Sequence, residues 1–297
     1  MAFGSTFLPG GWRLDGHALA ALQSAVSGGH RYLVLLSHMR SYSSVLAHVL
    51  GSSPQIQGYG ETQVRFRNVF DVWRFRRSVA RSTGRPPQSP WLLDKVLHND
   101  IRPVDRFVGR ERVRPLIFLR RPERTLQSLV ALARSQRSVA SYADVQAGCD
   151  YYVRRLHRLR EDGERFGRQA LYFEAEALVL QPEPLLQALG QWLGLAQPLS
   201  PAYRLGRQSG QAGFGDSSPN IRAGTVLGQE RSTTHSIGVS LDPAVLAEAQ
   251  AAYMRCRAAL VRHCTSLPAG RVFEAEKSPS IRTMEGLDER AIALLRR

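Results

Sequence analysis

The apolar positions of the chain fall into short unbroken runs, each followed by a polar loop and then by apolar residues at helical spacing. Tyr32-Leu33-Val34-Leu35-Leu36 follows Gly28-Gly29 and has the form of a strand buried on both faces of a parallel sheet. Residues 37–44 are polar, and Val45, Leu46, Val49 and Leu50 then recur at helical spacing until Gly51. The same grammar returns at 114–119, where Leu116-Ile117-Phe118-Leu119 leads into Arg120-Arg121-Pro122-Glu123 and a helix carrying Leu126, Leu129, Val130 and Ala133. Proline suits the first turn of that helix. An amphipathic stretch over 145–166 precedes a strand at 170–173, a helix follows over 185–195, and an Ala-rich helix is predicted over 243–263. Alternating strands and helices predict an α/β layered fold, a mostly parallel central sheet flanked by helices in three layers.

Three segments depart from this alternation. Over 64–85, Phe66, Val69, Phe70 and Trp73 stand at helical spacing with Arg67, Arg74, Arg77 and Arg81 around the other side. The first expectation is that this stripe packs on the core. A basic amphipathic helix can also lie on an acidic membrane, which makes 64–85 the candidate for peripheral membrane contact or for recruiting an acidic or lipid-like acceptor. Residues 209–238 are rich in Gly, Ser and Thr and read as a long loop. The last thirty residues show little periodicity until 289–297 and read as a tail, leaving residues 1–297 as a single domain with a core of about 30–265 and a C-terminal tail at 266–297.

Charge narrows the partner without naming it. Forty basic against 25 acidic residues give +15, a field that gathers anions of any kind: nucleotides, nucleic acid or an acidic membrane. Of the 40 basic residues 38 are Arg, and only Lys95 and Lys277 are Lys, so a lysine within the fold suggests a local need for a compact ammonium. The three cysteines have no C-x-x-C spacing, which argues against a zinc site and a disulfide framework. The absence of an apolar h-region and of an 18-residue apolar stretch predicts a cytoplasmic protein with no signal or membrane span.

A polar loop between a buried strand and a helix N-terminus presents free N–H groups and the positive end of a helix dipole, so 37–44 is an anion site by construction. Ser37, Arg40, Ser41, Ser43 and Ser44 add hydroxyls and a guanidinium. The segment lacks the G-x-x-x-x-G-K-[ST] of a Walker A loop. Leu-Leu-Ser-His-Met-Arg-Ser-Tyr-Ser-Ser at 35–44 resembles the 5′-phosphosulfate loop of the sulfotransferase family, with Met39 where the family usually has proline and Tyr42 where it has glycine.

Two further segments carry the same resemblance. Phe118 to Ser128 is similar to the family's 3′-phosphate motif, an Arg ending a strand and a Ser eight residues on; Arg120 and Ser128 could converge on one dianionic phosphate. Trp91 to Asn99 is similar to its Asp-Lys-x-x-x-Asn segment, which puts Lys95 at the sulfuryl group. Gly213 to Thr225, with Arg222, Gly224 and Thr225, resembles the late loop that closes over the donor, and Gly58-Tyr-Gly-Glu-Thr62 resembles the segment where the tyrosylprotein branch keeps its catalytic glutamate. The resemblance thus implies a P-loop-NTPase-like sulfotransferase fold with 3′-phosphoadenosine 5′-phosphosulfate as co-substrate and no metal. It further implies donor binding through Ser37, Arg40, Ser41, Tyr42, Ser43, Ser44, Arg120, Ser128, Arg222, Gly224 and Thr225. Arg40 and Lys95 would supply the cations, and Glu61, with His98 as second choice, the base. The acceptor would be a hydroxyl of a small molecule, lipid, glycan or peptide.

Two rival classes remain open from the sequence. The charge suits a nucleic-acid-binding protein, although no helix-turn-helix, zinc-finger or RNA-recognition signature accompanies it and no nucleic-acid partner is expected. The first strand–loop–helix also suits a P-loop kinase-like protein, against which the missing Walker A lysine speaks.

Overall fold

A computed structural model describes residues 16–207, 209–210, 219–228 and 239–267. In chain order these form α1 (Gly16–Ser27), β1 (Arg31–Leu36), α2 (Ser43–Gly51), β2 (Ile56–Gln57), α3 (Phe70–Thr83), β3 (Trp91–Val96), α4 (Asp105–Val108) and β4 (Val113–Leu119). There follow α5 (Pro122–Ser135), α6 (Val145–Phe166), β5 (Leu171–Glu174), α7 (Ala177–Leu180), α8 (Pro182–Leu193), α9 (Pro243–His263) and β6 (Thr265–Ser266). All of them lie in one compact unit that ends at Leu267. The tail from 268 onward and residues 211–218 and 229–238 of the expected loop lie outside the described residues.

The six strands form one sheet in the order β2-β3-β1-β4-β5-β6, and every ladder is parallel. Successive side chains of each strand point to opposite faces, so the apolar runs feed two separate cores. Tyr32, Val34, Leu36, Leu92, Ile117 and Tyr172 join α3, α5, α6 and α9 on one face. Leu33, Leu35, Leu93, Leu116, Phe118 and Phe173 join α2, α7 and α8 on the other. Because both faces are covered, the strands read as continuous apolar runs and not as alternating ones.

Local signals set the helix ends. Asp144 accepts a hydrogen bond from the Ala147 N–H at the start of α6, and Asp242 from the Ala244 N–H at the start of α9. Gly194 closes α8 in the left-handed conformation at φ 66°.

The expected helix over 64–85 needs correction. Helix α3 covers only Phe70–Thr83, and the Asp71 carboxylate in its first turn reaches back to accept from the N–H groups of Arg67 and Asn68, which precede the helix. The stripe chosen from the sequence is not its core face: Phe70 is 72% and Trp73 59% exposed. Val72, Phe75 and Val79 are buried instead, an i, i+3, i+7 set on the other side. Two apolar stripes compete in this segment, and the wrong one looks longer because Phe66 lies in phase with it. Phe66 belongs to the preceding non-helical chain and reaches the core from there, with its ring 5.9 Å from that of Phe75.

Candidate active site

In an all-parallel sheet every strand ends on the same edge, and a crevice opens where the chain reverses its direction of growth across the sheet. Here that point is β1, with β3 on one side and β4 on the other. The ends of these three strands carry the loop 37–42, His98 and Arg120. Helix α6 lies beneath and holds them together. Its Arg155, fully buried, donates from Nε to the Ser37 carbonyl at 2.7 Å, from Nη1 to that of His98 at 3.2 Å and from Nη2 to that of Val96 at 2.7 Å. The Tyr151 hydroxyl donates to the Leu97 carbonyl and accepts from the Met39 N–H; the Tyr152 hydroxyl donates to the Arg120 carbonyl.

One side of the crevice is a guanidinium cluster. Arg120, 4% exposed at the end of β4, donates from Nη1 to the Arg40 carbonyl at 2.8 Å and lies 4.3 Å from the centre of the Tyr42 ring. Its Nε is buried with no hydrogen-bond partner among the described residues. Arg40 Nε donates to Ser128 Oγ at 2.8 Å, so Arg40, Arg120 and Ser128 meet across 88 residues of chain. The loop takes an unusual path to bring them together: Arg40 and Tyr42 both have φ 65°, a left-handed conformation that glycine adopts freely and that strains other residues by about 1–2 kcal/mol each. At Tyr42, where the sulfotransferase pattern has glycine, the ring's stacking on Arg120 offsets part of that strain.

His38, absent from the sequence reading of the site, fastens this loop to the next motif. It is fully buried, donates from Nδ1 to the Met39 carbonyl and accepts at Nε2 from the Arg120 N–H, 2.9 and 3.0 Å. Burial pulls its pKa down to about 3, its two backbone hydrogen bonds only partly opposing this, and the ring is neutral.

The other side of the crevice holds a lysine and carboxylates. Lys95, 2% exposed, follows the face of β3 that carries Trp91 and Leu93, the face covered by α2. Its ammonium donates to Ser44 Oγ at 2.9 Å in the first turn of α2 and stands 3.2 Å from Glu61 Oε1. His98 Nε2 is 3.6 Å from Glu61 Oε2. Burial pushes the Glu61 pKa up, but the Lys95 ammonium, with the nearby His98 ring, outweighs it and holds the carboxyl at about 2.

Asp94, also missed by sequence reasoning as a site residue, behaves oppositely. It lies buried on the other face of β3, and its Oδ1 accepts from the hydroxyl and N–H of Thr62 and from the Lys95 N–H. Burial dominates these bonds and raises its pKa to about 7. Asp94 thereby anchors the residue next to Glu61 to the residue next to Lys95.

The remaining predicted residues divide. The hydroxyls of Ser37 and Ser41 are spent inside the fold, on the carbonyls of Phe118 and His38, 2.6 and 2.7 Å. Ser43 and Ser44 open α2, where the first N–H groups have no intrahelical partner. Arg222, Gly224 and Thr225 dock on a different segment: the Gly224 carbonyl accepts from the Tyr203 N–H, Thr225 pairs with Ala202, and Arg222 packs by Gly210. Among the described residues no hydrogen bond or ion pair ties these three to Arg40, Arg120 or Lys95, and 213–218 of that loop lie outside the described residues. No group of His, Cys, Asp or Glu among the described residues is placed to hold a metal ion. No described helix is long and apolar enough to cross a membrane.

No protein-family model matches this sequence, and no curated protein matches it significantly.

Proposed function

We propose that the chain is an α/β group-transfer enzyme that seats an anionic nucleotide at the carboxyl ends of β1, β3 and β4. Its particular activity, on this reading, is the transfer of a sulfuryl group from 3′-phosphoadenosine 5′-phosphosulfate to a hydroxyl acceptor. The observation that carries it is the pair of buried cations on one sheet edge: Arg120, whose Nε has no partner among the described residues, and Lys95, set between Ser44 and Glu61. A buried donor group without an acceptor is costly, and an anionic oxygen would satisfy it.

The residues present fit such a donor, which supplies an activated sulfuryl group and a phosphate leaving group. Arg120 and Ser128 would hold the 3′-phosphate, with Arg40, whose Nε donates to Ser128 Oγ, beside them. Free N–H groups at the start of α2, with Ser43 and Ser44, would hold the phosphosulfate. Lys95 would stabilise negative charge as it develops, the kind of preorganised electrostatics that dominates group transfer. Glu61 is ionised and can accept the acceptor's proton. Its low basicity suffices because a hydroxyl becomes strongly acidic as it is sulfated, and an anion drawn to Lys95 would loosen that lysine's hold on the carboxylate.

Mass spectrometry of acceptor pools incubated with the donor tests this reading. Glu61→Gln is expected to bind donor nearly normally and to form sulfated product roughly 10²–10⁴-fold more slowly. Lys95→Ala is expected to lower turnover more than donor affinity. Unchanged turnover in Lys95→Ala would overturn the site, and near-native turnover in Glu61→Gln with none in His98→Ala would move the base to His98.

A further inference from the structure

Away from the crevice, the outward face of α3 is unlike the rest of the surface. Phe70, Trp73, Arg77, Arg81 and Gly84 follow one another at three- and four-residue spacing and so form one stripe. Phe70 is 72% and Trp73 59% exposed. The Arg77 guanidinium stacks over the Trp73 ring at 5.3 Å, and Arg74 flanks the stripe with its side chain 67% exposed. At the end of the helix opens a cavity of ≈ 780 Å³ lined by Arg77, Arg81, Arg85, Arg207, Pro86 and Pro87, with no Asp or Glu among the described residues lining it. Gly84, with φ 72° and no side chain, leaves room for the Arg207 guanidinium, which would stand 3.0 Å from a Cβ there.

We propose that this face docks the protein on a bilayer containing anionic phospholipid, with Phe70 and Trp73 entering the headgroup region and the arginine cavity taking an anionic headgroup. Two features of this face select this occupant. Positive charge with no carboxylate among the described residues lining the cavity complements an acidic surface, and the chain as a whole carries +15. Large aromatic rings beside guanidiniums on one exposed helix face are the composition of an interfacial helix, in which the rings sit at the boundary of headgroup and acyl chain.

The surface is also tied to the crevice. The Gln57 amide donates to the Thr83 hydroxyl and to the Arg85 and Pro86 carbonyls, and the Tyr59 hydroxyl donates to the Ser82 carbonyl. The segment that carries Glu61 therefore starts from the end of this helix. Docking stands independently of the sulfuryl-transfer reading, because its test uses no donor.

The experiment is co-sedimentation of the full chain with vesicles of phosphatidylcholine alone and of phosphatidylcholine with a minority of phosphatidylserine. Binding is expected only to the second, falling as salt rises. Each guanidinium near an acidic leaflet is worth about five-fold in partitioning, so Arg81→Gln/Arg85→Gln should bind about 25-fold more weakly. Phe70→Ser/Trp73→Ser should lose about ten-fold or more. All four side chains are exposed, and melting curves confirm that the variants remain folded. Equal binding to neutral and anionic vesicles, or vesicle binding that neither double variant changes, overturns the proposal. So does a DNA or RNA duplex that binds more tightly than the anionic vesicles and is lost in the same variants, which would make the face a nucleic-acid site.

Discussion

Two carboxyl groups on the same sheet edge are held in opposite states of ionisation. Glu61 keeps its charge down to about pH 2, whereas Asp94 keeps its proton up to about pH 7. Pairs of groups driven apart in this way mark acid–base sites, and each leaves a signature in stability. For Glu61 the folded pKa is depressed, so its contribution is complete above the ordinary carboxyl range and is lost as pH falls from about 4.5 through 2. For Asp94 the folded pKa is raised from 3.8 to about 7, so its contribution is complete below 3.8 and is lost as pH rises through 7. Between those values it lowers stability with rising pH by at most about 1.4 kcal/mol per unit. Asp94→Asn keeps an acceptor for Thr62 and Lys95 but cannot titrate. Melting temperatures measured from pH 4 to 8 are expected to fall less steeply in this variant than in the native chain, and identical profiles would show that Asp94 ionises normally.

The residues legible in the sequence are those whose position breaks a local rule: Lys95 as the single lysine of the body, Arg120 at the end of an apolar run, Glu61 directly after two turn glycines. His38 and Arg155 were not legible, and Asp94 stood in the Asp-Lys-x-x-x-Asn match without its role being readable. A buried polar residue whose distant partners stand 32 to 118 residues away in the chain leaves no periodic trace, and only the assembled sheet reveals what it holds.

Among the elements, α6 does most to shape the crevice without lining a recognisable motif. Its limits, 145–166, could be read from amphipathic spacing, but the tasks of Tyr151, Tyr152 and Arg155 could not. Arg155 replaces a counter-ion with three backbone carbonyls at the ends of β1 and β3. Arg155→Met should take the donor from the Ser37 and His98 carbonyls, while that of Val96 keeps the Ser37 N–H; at about 1–3 kcal/mol for each acceptor left without a partner, denaturant unfolding is expected to show a loss of at least about 2 kcal/mol. Arg154, next in the chain but exposed, serves as control: Arg154→Met should stay within about 0.5 kcal/mol of the native chain. Similar effects of the two substitutions would mean that the strand ends hold without the clamp. Helix α3 shows the converse limit of sequence reading. Its amphipathic character was visible, yet which of two apolar stripes faced inward depended on where the helix began, at Phe70 and not at residue 64.

For the whole molecule, an excess of 15 positive charges says that anions are sought but not where. The two proposals divide the answer between two places, the strand-end crevice with Arg40, Arg120 and Lys95 and the outer face of α3. The alternation of strands and helices made the layered α/β architecture legible, and the short edge strands β2 and β6, two residues each, fell below what periodicity can register. The central claim is that the crevice recognises the 3′-phosphate of a sulfuryl donor through Arg120. Isothermal calorimetry of the native chain and Arg120→Ala, each titrated with 3′-phosphoadenosine 5′-phosphate and with adenosine 5′-phosphosulfate, tests it directly. A lost charge-assisted contact of about 1.5–3 kcal/mol corresponds to a roughly 10- to 150-fold weaker affinity for the bisphosphate, with little change for the ligand that lacks a 3′-phosphate. Equal weakening of both ligands would contradict the assignment.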